Sequence, residues 1–204
     1  MFEVSNQIYR IDSKSSFMDL REAFAIGKIH FQLIKYNDKA EKGKKITNSA
    51  DFFMDINDAA YFAELCKSGR LVNKIRTLIK MNKPGLAIHK YAGKKVKDNE
   101  YISRQFRVEG NDENKYFFKI ILMPGSVTST GAILPQKNGK IIEQVVLRVT
   151  ADQIGELGTA IERAVTIYDL WVSMGTLERN LERIRYRKED VPAFSEGIKK
   201  DIEF

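Results

Sequence analysis

The sequence predicts an α+β protein made of two ββββα repeats, in which antiparallel sheets carry their helices on one side. Two observations predict this fold class. Short segments alternate apolar and polar residues as strands do, and two longer segments repeat apolar residues every three or four positions as helices do. The segments follow the same order twice along the 204 residues. We therefore expect one domain over residues 1–186, with halves 1–83 and 84–186, and a flexible tail over residues 187–204.

The first half begins with alternating segments around residues 2–11 and 24–36, and the second of these is the clearer strand. Within it, Ile29, Phe31 and Leu33 face one side, which we expect to be the core. A lysine-rich loop over residues 38–45 leads into a further strand at residues 50–56.

A helix follows, which we expect Asn57 or Asp58 to cap. Its apolar positions have the spacing of one buried stripe: Phe62, Leu65, Val72, Ile75 and Ile79. Gly69 predicts a break or kink in this helix. The only cysteine, Cys66, lies in an apolar run, so we expect it in the core and expect no internal disulfide.

The second half repeats this order with strands near residues 86–91, 101–108, 116–123 and 141–149. Thr150 and Gln153 then have the spacing of a capping box. An apolar stripe follows at alternating steps of three and four: Ile154, Leu157, Ile161, Val165, Tyr168 and Val172. We expect this helix to reach about Arg187, with Gly175 as the point where it could divide.

Charge predicts a polyanionic partner, because 34 Lys and Arg against 27 Asp and Glu give a net charge of +7. The lone cysteine favours a reducing compartment. Neither a basic segment followed by an apolar run at the amino terminus nor an 18-residue apolar window is present. We therefore expect a soluble protein of the cytoplasm, in a bacterium or a phage-infected host cell.

Enzyme chemistry is poorly supported, because the chain has two histidines, His30 and His89, and one cysteine. HExxH, CxxC and paired-histidine spacings are all missing, so we expect no metal. Gly155 and Gly158 do not match a phosphate-loop spacing, and we interpret them as helix-packing residues. We expect a non-catalytic protein without a cofactor.

Three segments in each half of the chain carry a resemblance to a known family. Residues 28–36, followed by the basic turn 42–45 and the apolar strand 52–56, resemble the unit of the Whirly/PC4-like single-stranded nucleic-acid binding family. Residues 116–121, 136–140 and 145–149 look like a second copy. The resemblance implies curved sheets that present aromatic residues to bases and basic residues to phosphates, in subunits that form homo-oligomers through their helices.

The candidate site residues are those on the non-core faces of the strands, together with the basic residues of the loops. They are Lys28, His30, Gln32, Lys35, Tyr36, Lys42, Lys44, Lys45, Arg104, Arg107, Lys115, Phe117, Lys119, Lys137, Lys140 and Arg148. We expect more than half of the aromatic residues in these strands to lie in the core or in a subunit interface instead.

The chain finishes with Asp201, Ile202, Glu203 and Phe204, which is similar to the partner-recruiting tip of bacterial single-stranded DNA binding proteins. The other interpretation of Phe204 is a frayed end or a helix-packing residue. For the whole chain we expect a sequence-tolerant single-stranded DNA binding protein that acts in replication, recombination or transfer of a phage, plasmid or bacterium. The alternatives are an RNA-binding or transcription-cofactor protein of the same fold and a non-catalytic assembly protein.

Overall fold

The computed structural model describes residues 6–41, 44–97, 100–111 and 114–175. It has the expected α+β class, with two antiparallel sheets and three α-helices among these residues. Met1–Val165 form one compact unit, and the chain from Thr166 onward belongs to a second, of which only residues 166–175 are described. The predicted tail and the helical continuation beyond residue 175 lie outside the described residues.

The first sheet is a meander in the order β1-β2-β3-β4. Its strands are β1 (Gln7–Asp12), β2 (Ser16–Ala23), β3 (Lys28–Tyr36) and β4 (Ile46–Asp55). Strand β2 was not predicted, although Met18 and Leu20 alternate with Asp19 and Arg21 and are fully buried. Asp19 conceals the pattern, since it too is buried and bonds to Gln7 Nε2 at 2.7 Å and to Arg21 Nη2 at 3.0 Å.

Strand β3 has the predicted faces, because Ile29, Phe31 and Leu33 are all fully buried. Its predicted start at residue 24 was wrong. Phe24–Ile26 form a 3₁₀ turn, and Gly27 follows in the left-handed region with φ +63°. A glycine adopts this conformation without the steric cost that a side chain would add, so the chain can turn into β3 at this point.

The first predicted helix is divided as Gly69 indicated, into α1 (Ile56–Lys67) and α2 (Arg70–Lys80). Gly69 has φ +72° at the junction. The predicted cap was wrong: the helix begins at Ile56, directly after β4, with Asp55 in the capping position. Cys66 is buried, as expected.

The second sheet has the order β5-β6-β7-β8, and β9 also pairs with β7. Its strands are β5 (Gly85–Lys97), β6 (Glu100–Gly110), β7 (Tyr116–Val127), β8 (Ile133–Pro135) and β9 (Glu143–Val149). Strand β5 runs six residues beyond its predicted end. The short β8 was not predicted, and it pairs with the end of β7 that β9 leaves free.

Helix α3 (Ala151–Ser173) begins with the predicted capping box. Gln153 N donates to Thr150 Oγ1 at 3.2 Å, and Thr150 N donates to Gln153 Oε1 at 2.9 Å. The helix ends before Gly175, which has φ +62°. Within the described residues, no helix combines the length and the apolar character that crossing a membrane requires.

One core lies between the two sheets and α1. The ring of Phe106 on β6 is fully buried and lies 5.0 Å from Phe31, 5.5 Å from Phe52 and 5.7 Å from Phe62. Helix α3 packs tightly on α1, since a Cβ added at Gly158 would lie 2.7 Å from Cys66 Cβ. The inner faces of both sheets are therefore fixed by packing around Phe106.

Candidate nucleic-acid interface

A cleft lies where the edge of the first sheet meets the β5-β6 pair. The link is an ion pair between Arg104 Nη1 of β6 and Asp51 Oδ2 of β4, 2.9 Å apart, and the Arg104 side chain is only 18% exposed. The cleft has a volume of about 230 Å³. Its lining residues are Ile26, Lys28, Phe53, Ala92, Gly93, Lys94 and Arg104.

One wall of the cleft is the ring of Phe53, which is backed by His30. His30 and Phe53 are directly opposite in the β3-β4 register, and their rings stack with centroids 4.3 Å apart and planes inclined by 4°. His30 thus covers one face of the Phe53 ring, while Phe53 also lines the cleft. This is the geometry of a platform on which a further flat ring can stack.

The environment of His30 disfavours the protonated form of its imidazole. Burial lowers its pKa from the usual 6.5, and the charges of Arg21 and Arg104 lower it further, against an opposing effect of Asp51. His30 Nε2 and Arg104 Nε are both buried without a hydrogen-bond partner in the part of the chain that the structure describes. Two polar atoms are therefore left unsatisfied beside the cleft.

Cations surround the Phe53 ring. Asp51 and Asp55 lie on either side of Phe53 along β4. Each holds a cation beside the ring: Lys28 Nζ donates to Asp55 Oδ1 at 2.7 Å, and Arg104 pairs with Asp51. Lys94 is exposed at the cleft. An incoming phosphate would compete with the two aspartates for Lys28 and Arg104 and would meet Lys94 directly.

A second group of candidate residues lies on one face of the second sheet. Arg107 is opposite His89 on one side and Lys119 on the other, and Phe117 is opposite Arg148. Lys119 forms an ion pair with Glu109, and its Nζ lies 5.9 Å from the centre of the Phe117 ring. Arg107 Nε donates to His89 Nε2 at 3.1 Å.

This face is concave, because the far end of the sheet curls. Ile133 of β8 packs onto Gly93 of β5 and Gly125 of β7, and a Cβ on either glycine would overlap it. A residue of β8 can reach β5, two strands beyond β7, only if the sheet bends over this face. We call six residues outside the curl the concave face: His89, Tyr91, Arg107, Phe117, Lys119 and Arg148. The acidic Glu109 lies on the same side of the sheet, opposite Phe117.

The remaining described candidates do not join either group. Tyr36 donates its hydroxyl to Ser13 O at 3.0 Å and lies beside Phe17, which is a structural role. Gln32 contacts Ser49 Oγ at 3.4 Å. The other described candidates are dispersed: Lys35, Lys44, Lys45, Lys137 and Lys140 are exposed, and Lys115 is half-buried.

The lysines of the β3-β4 loop are clearly separated from the cleft. Lys28 pairs with Asp55 at one end of the β3-β4 register and Tyr36 with Ile46 at the other, so the loop lies about 26 Å from the cleft end of β3 at the usual rise per strand residue. Within this loop Lys44 pairs with Glu41 at 3.2 Å. Lys42 and the tip residues Asp201, Ile202, Glu203 and Phe204 lie outside the described residues.

Sequence reasoning missed several residues that the fold brings to these two surfaces. Phe53, Ala92 and Lys94 line the cleft, and Tyr91 and His89 belong to the concave face. The available signal was the run 93–97, in which three lysines follow Gly93 directly after an alternating strand. It extends β5 and would have added Lys94 to the candidate set.

A larger cleft, of about 480 Å³, lies between α1, α2 and the start of α3. Its lining contains no aromatic side chain and has charges of both signs: Lys67, Arg76, Asp152 and Glu156. It is therefore a weaker candidate for contact with bases. Among the described residues, no three His, Cys, Asp or Glu side chains are grouped so that they could hold a metal ion.

No family model matches the sequence, and the search of curated proteins also finds no match.

Proposed function

We propose that this protein binds single-stranded DNA without reading its sequence. The observation that carries the proposal is the cleft, where the ring of Phe53, stacked against His30, is bordered by Lys28, Lys94 and Arg104. Stacking of a base on such a platform contributes about 1–3 kcal/mol whatever the base, because every base has a π face. The neighbouring cations neutralise phosphates and release their counterions.

The size of the cleft favours a single strand over a duplex. At about 230 Å³ it is smaller than the roughly 300–1,000 Å³ of a typical ligand pocket, so it suits one flat ring. In a duplex the bases are stacked on one another and would have to leave the stack first, at a cost of a few kcal/mol. An unpaired strand avoids this cost.

The test is a fluorescence-anisotropy titration with a labelled single strand, competed by duplex DNA and by RNA. We expect tight, salt-dependent binding that duplex competes poorly. Ala92→Trp should fill the cleft and weaken binding, whereas Ala92→Ser, which keeps the side chain small, should bind like the wild type. Absence of binding at low salt would overturn the proposal and leave an assembly protein as the alternative, and stronger competition by RNA would move the proposal to the RNA-binding alternative.

The finer interpretation is also part of the proposal. We infer a non-catalytic protein with two Whirly/PC4-like ββββα repeats, acting in replication, recombination or transfer of a phage, plasmid or bacterium. The strand that leads directly into a helix in both halves, β4 into α1 and β9 into α3, supports the repeat. We also propose that the protein forms a homo-oligomer, and analytical sedimentation would measure its mass.

The proposed role of the tip is separable from DNA binding. Deletion of residues 201–204 should leave the affinity for single-stranded DNA unchanged, because the residues that line the cleft all belong to the segment between Ile26 and Arg104. A lower affinity in the deletion variant would contradict an independent role for the tip.

A further inference from the structure

The cleft and the concave face meet at a single strand. Ala92 of β5 lines the cleft, and Tyr91, the residue before it, is directed to the opposite side of the strand because successive side chains alternate. Strand β5 is at the edge of the second sheet. Only the thickness of this edge strand therefore separates the two surfaces.

The concave face has the same chemistry as the cleft. Tyr91 is 45% exposed, and its ring lies 4.3 Å from the ring of His89. Next to this aromatic pair, His89 of β5, Arg107 of β6 and Lys119 of β7 lie directly opposite one another on three neighbouring strands. Phe117 provides a second ring, with the exposed Arg148 opposite it.

We propose that one nucleic-acid strand occupies both surfaces, passing from the cleft over the edge of β5 onto the concave face. This proposal rests on the proposed function, since it extends the path of the same strand. The curl at Ile133 closes the concave face on the side of Gly93. The strand accordingly runs the other way, from Tyr91 towards Phe117 and Arg148.

The cations of the concave face, and its position next to the cleft, favour a nucleic-acid strand as its occupant. A strand leaving the cleft carries a phosphate at every nucleotide, and Arg107, Lys119 and Arg148 lie along its course. Tyr91 and Phe117 are two strands and four register positions apart, which corresponds to about 16 Å at ordinary strand spacing. Two aromatic platforms at that distance suit two bases of an extended strand with at least one nucleotide between them, rather than a compact partner.

The experiment compares oligo-dT of two lengths, about 4 and about 20 nucleotides, by fluorescence anisotropy. The short strand fills the cleft alone, and the long one reaches the concave face. Tyr91→Ala should weaken binding of the long strand by about 5- to 150-fold, the range expected for loss of one stacked base, and leave the short strand unaffected. Tyr91→Phe, which keeps the ring, should restore long-strand binding.

Matched controls separate local from general effects. Tyr61 is 59% exposed on α1, so Tyr61→Ala removes an exposed tyrosine from a helix and should change neither affinity. Arg148→Gln should lower the salt dependence of the long strand only, while Arg163→Gln, an exposed position on α3, should not.

The outcomes distinguish this proposal from the proposed function. If Ala92→Trp weakens both lengths while Tyr91→Ala and Arg148→Gln bind both as the wild type does, the protein binds DNA but the path ends at the cleft, and the extended path is wrong. If neither length binds the wild type, the proposed function itself fails. Length-selective loss in both Tyr91→Ala and Arg148→Gln supports the path.

Discussion

Removal of Lys94 gives the sharpest test of the electrostatics of the cleft. Lys94 is exposed at the cleft, whereas Lys28 and Arg104 are each paired with an aspartate that their removal would leave unpaired. For a single strand, each phosphate contact adds about 0.7 to the slope of log affinity against log salt. With three cations the cleft contributes about 2.1 to this slope, and Lys94→Gln should reduce that to about 1.4.

These slopes translate into a measurable difference. Between 50 and 200 mM salt, the cleft's contribution should weaken wild-type binding about 18-fold and that of Lys94→Gln about 7-fold. Anisotropy titrations of one labelled strand at four salt concentrations would give both slopes. Lys80→Gln, at an exposed position near the end of α2, serves as the control. An unchanged slope in Lys94→Gln, with or without a change in affinity, would refute the assignment of Lys94 to a phosphate.

Three further predictions concern stability. Phe106→Ala should lower the free energy of unfolding by about 3–5 kcal/mol in urea denaturation, because its buried ring contacts aromatic residues of both sheets and α1, and a loss below 1 kcal/mol would show that the core does not depend on it. Thr150→Ala should cost about 1 kcal/mol by removing one half of the capping box, whereas Thr150→Ser should cost little; equal losses would contradict the capping role. The pKa of His30 is lowered in the folded protein, so the unfolded state binds more protons and the free energy of unfolding should fall as pH drops from 7.5 through 6.5 to 6. His30→Asn should flatten this dependence. An unchanged pH profile in that variant would count against a buried imidazole with a lowered pKa.

Periodicity was sufficient for the elements whose buried faces are regular. Strand β3 and the stripes of α1, α2 and α3 were predicted because apolar residues recur at every second position or at every third or fourth position. Strand β2 was missed because Asp19 is a buried carboxylate that accepts hydrogen bonds from Gln7 of β1 and from Arg21 of its own strand, and no apolar period reveals such a residue. Strand β8 has only three residues, too few to show a period.

The candidate site was predicted less completely than the fold, for a physical reason. The sequence identifies which face of a strand is polar, and it selected Lys28 and His30 on that basis. It cannot show that Arg104 reaches Asp51, 53 residues earlier, or that Ala92 and Phe53 line one cleft, because these contacts depend on how the two sheets meet. Lys44 and Lys45 of the β3-β4 loop lie far from the cleft, because charge alone does not determine where the fold places a loop.

The close packing of α3 on α1 makes Cys66 an internal reporter. It is the only cysteine in the chain, it is 2% exposed, and burial raises the pKa of its thiol, so the reactive thiolate is suppressed in the folded protein. A thiol reagent can modify it only when the helices separate at Gly158 or the protein unfolds. The rate of labelling under native conditions, compared with that in urea, would therefore measure the free energy of opening at this helix pair without any engineered probe.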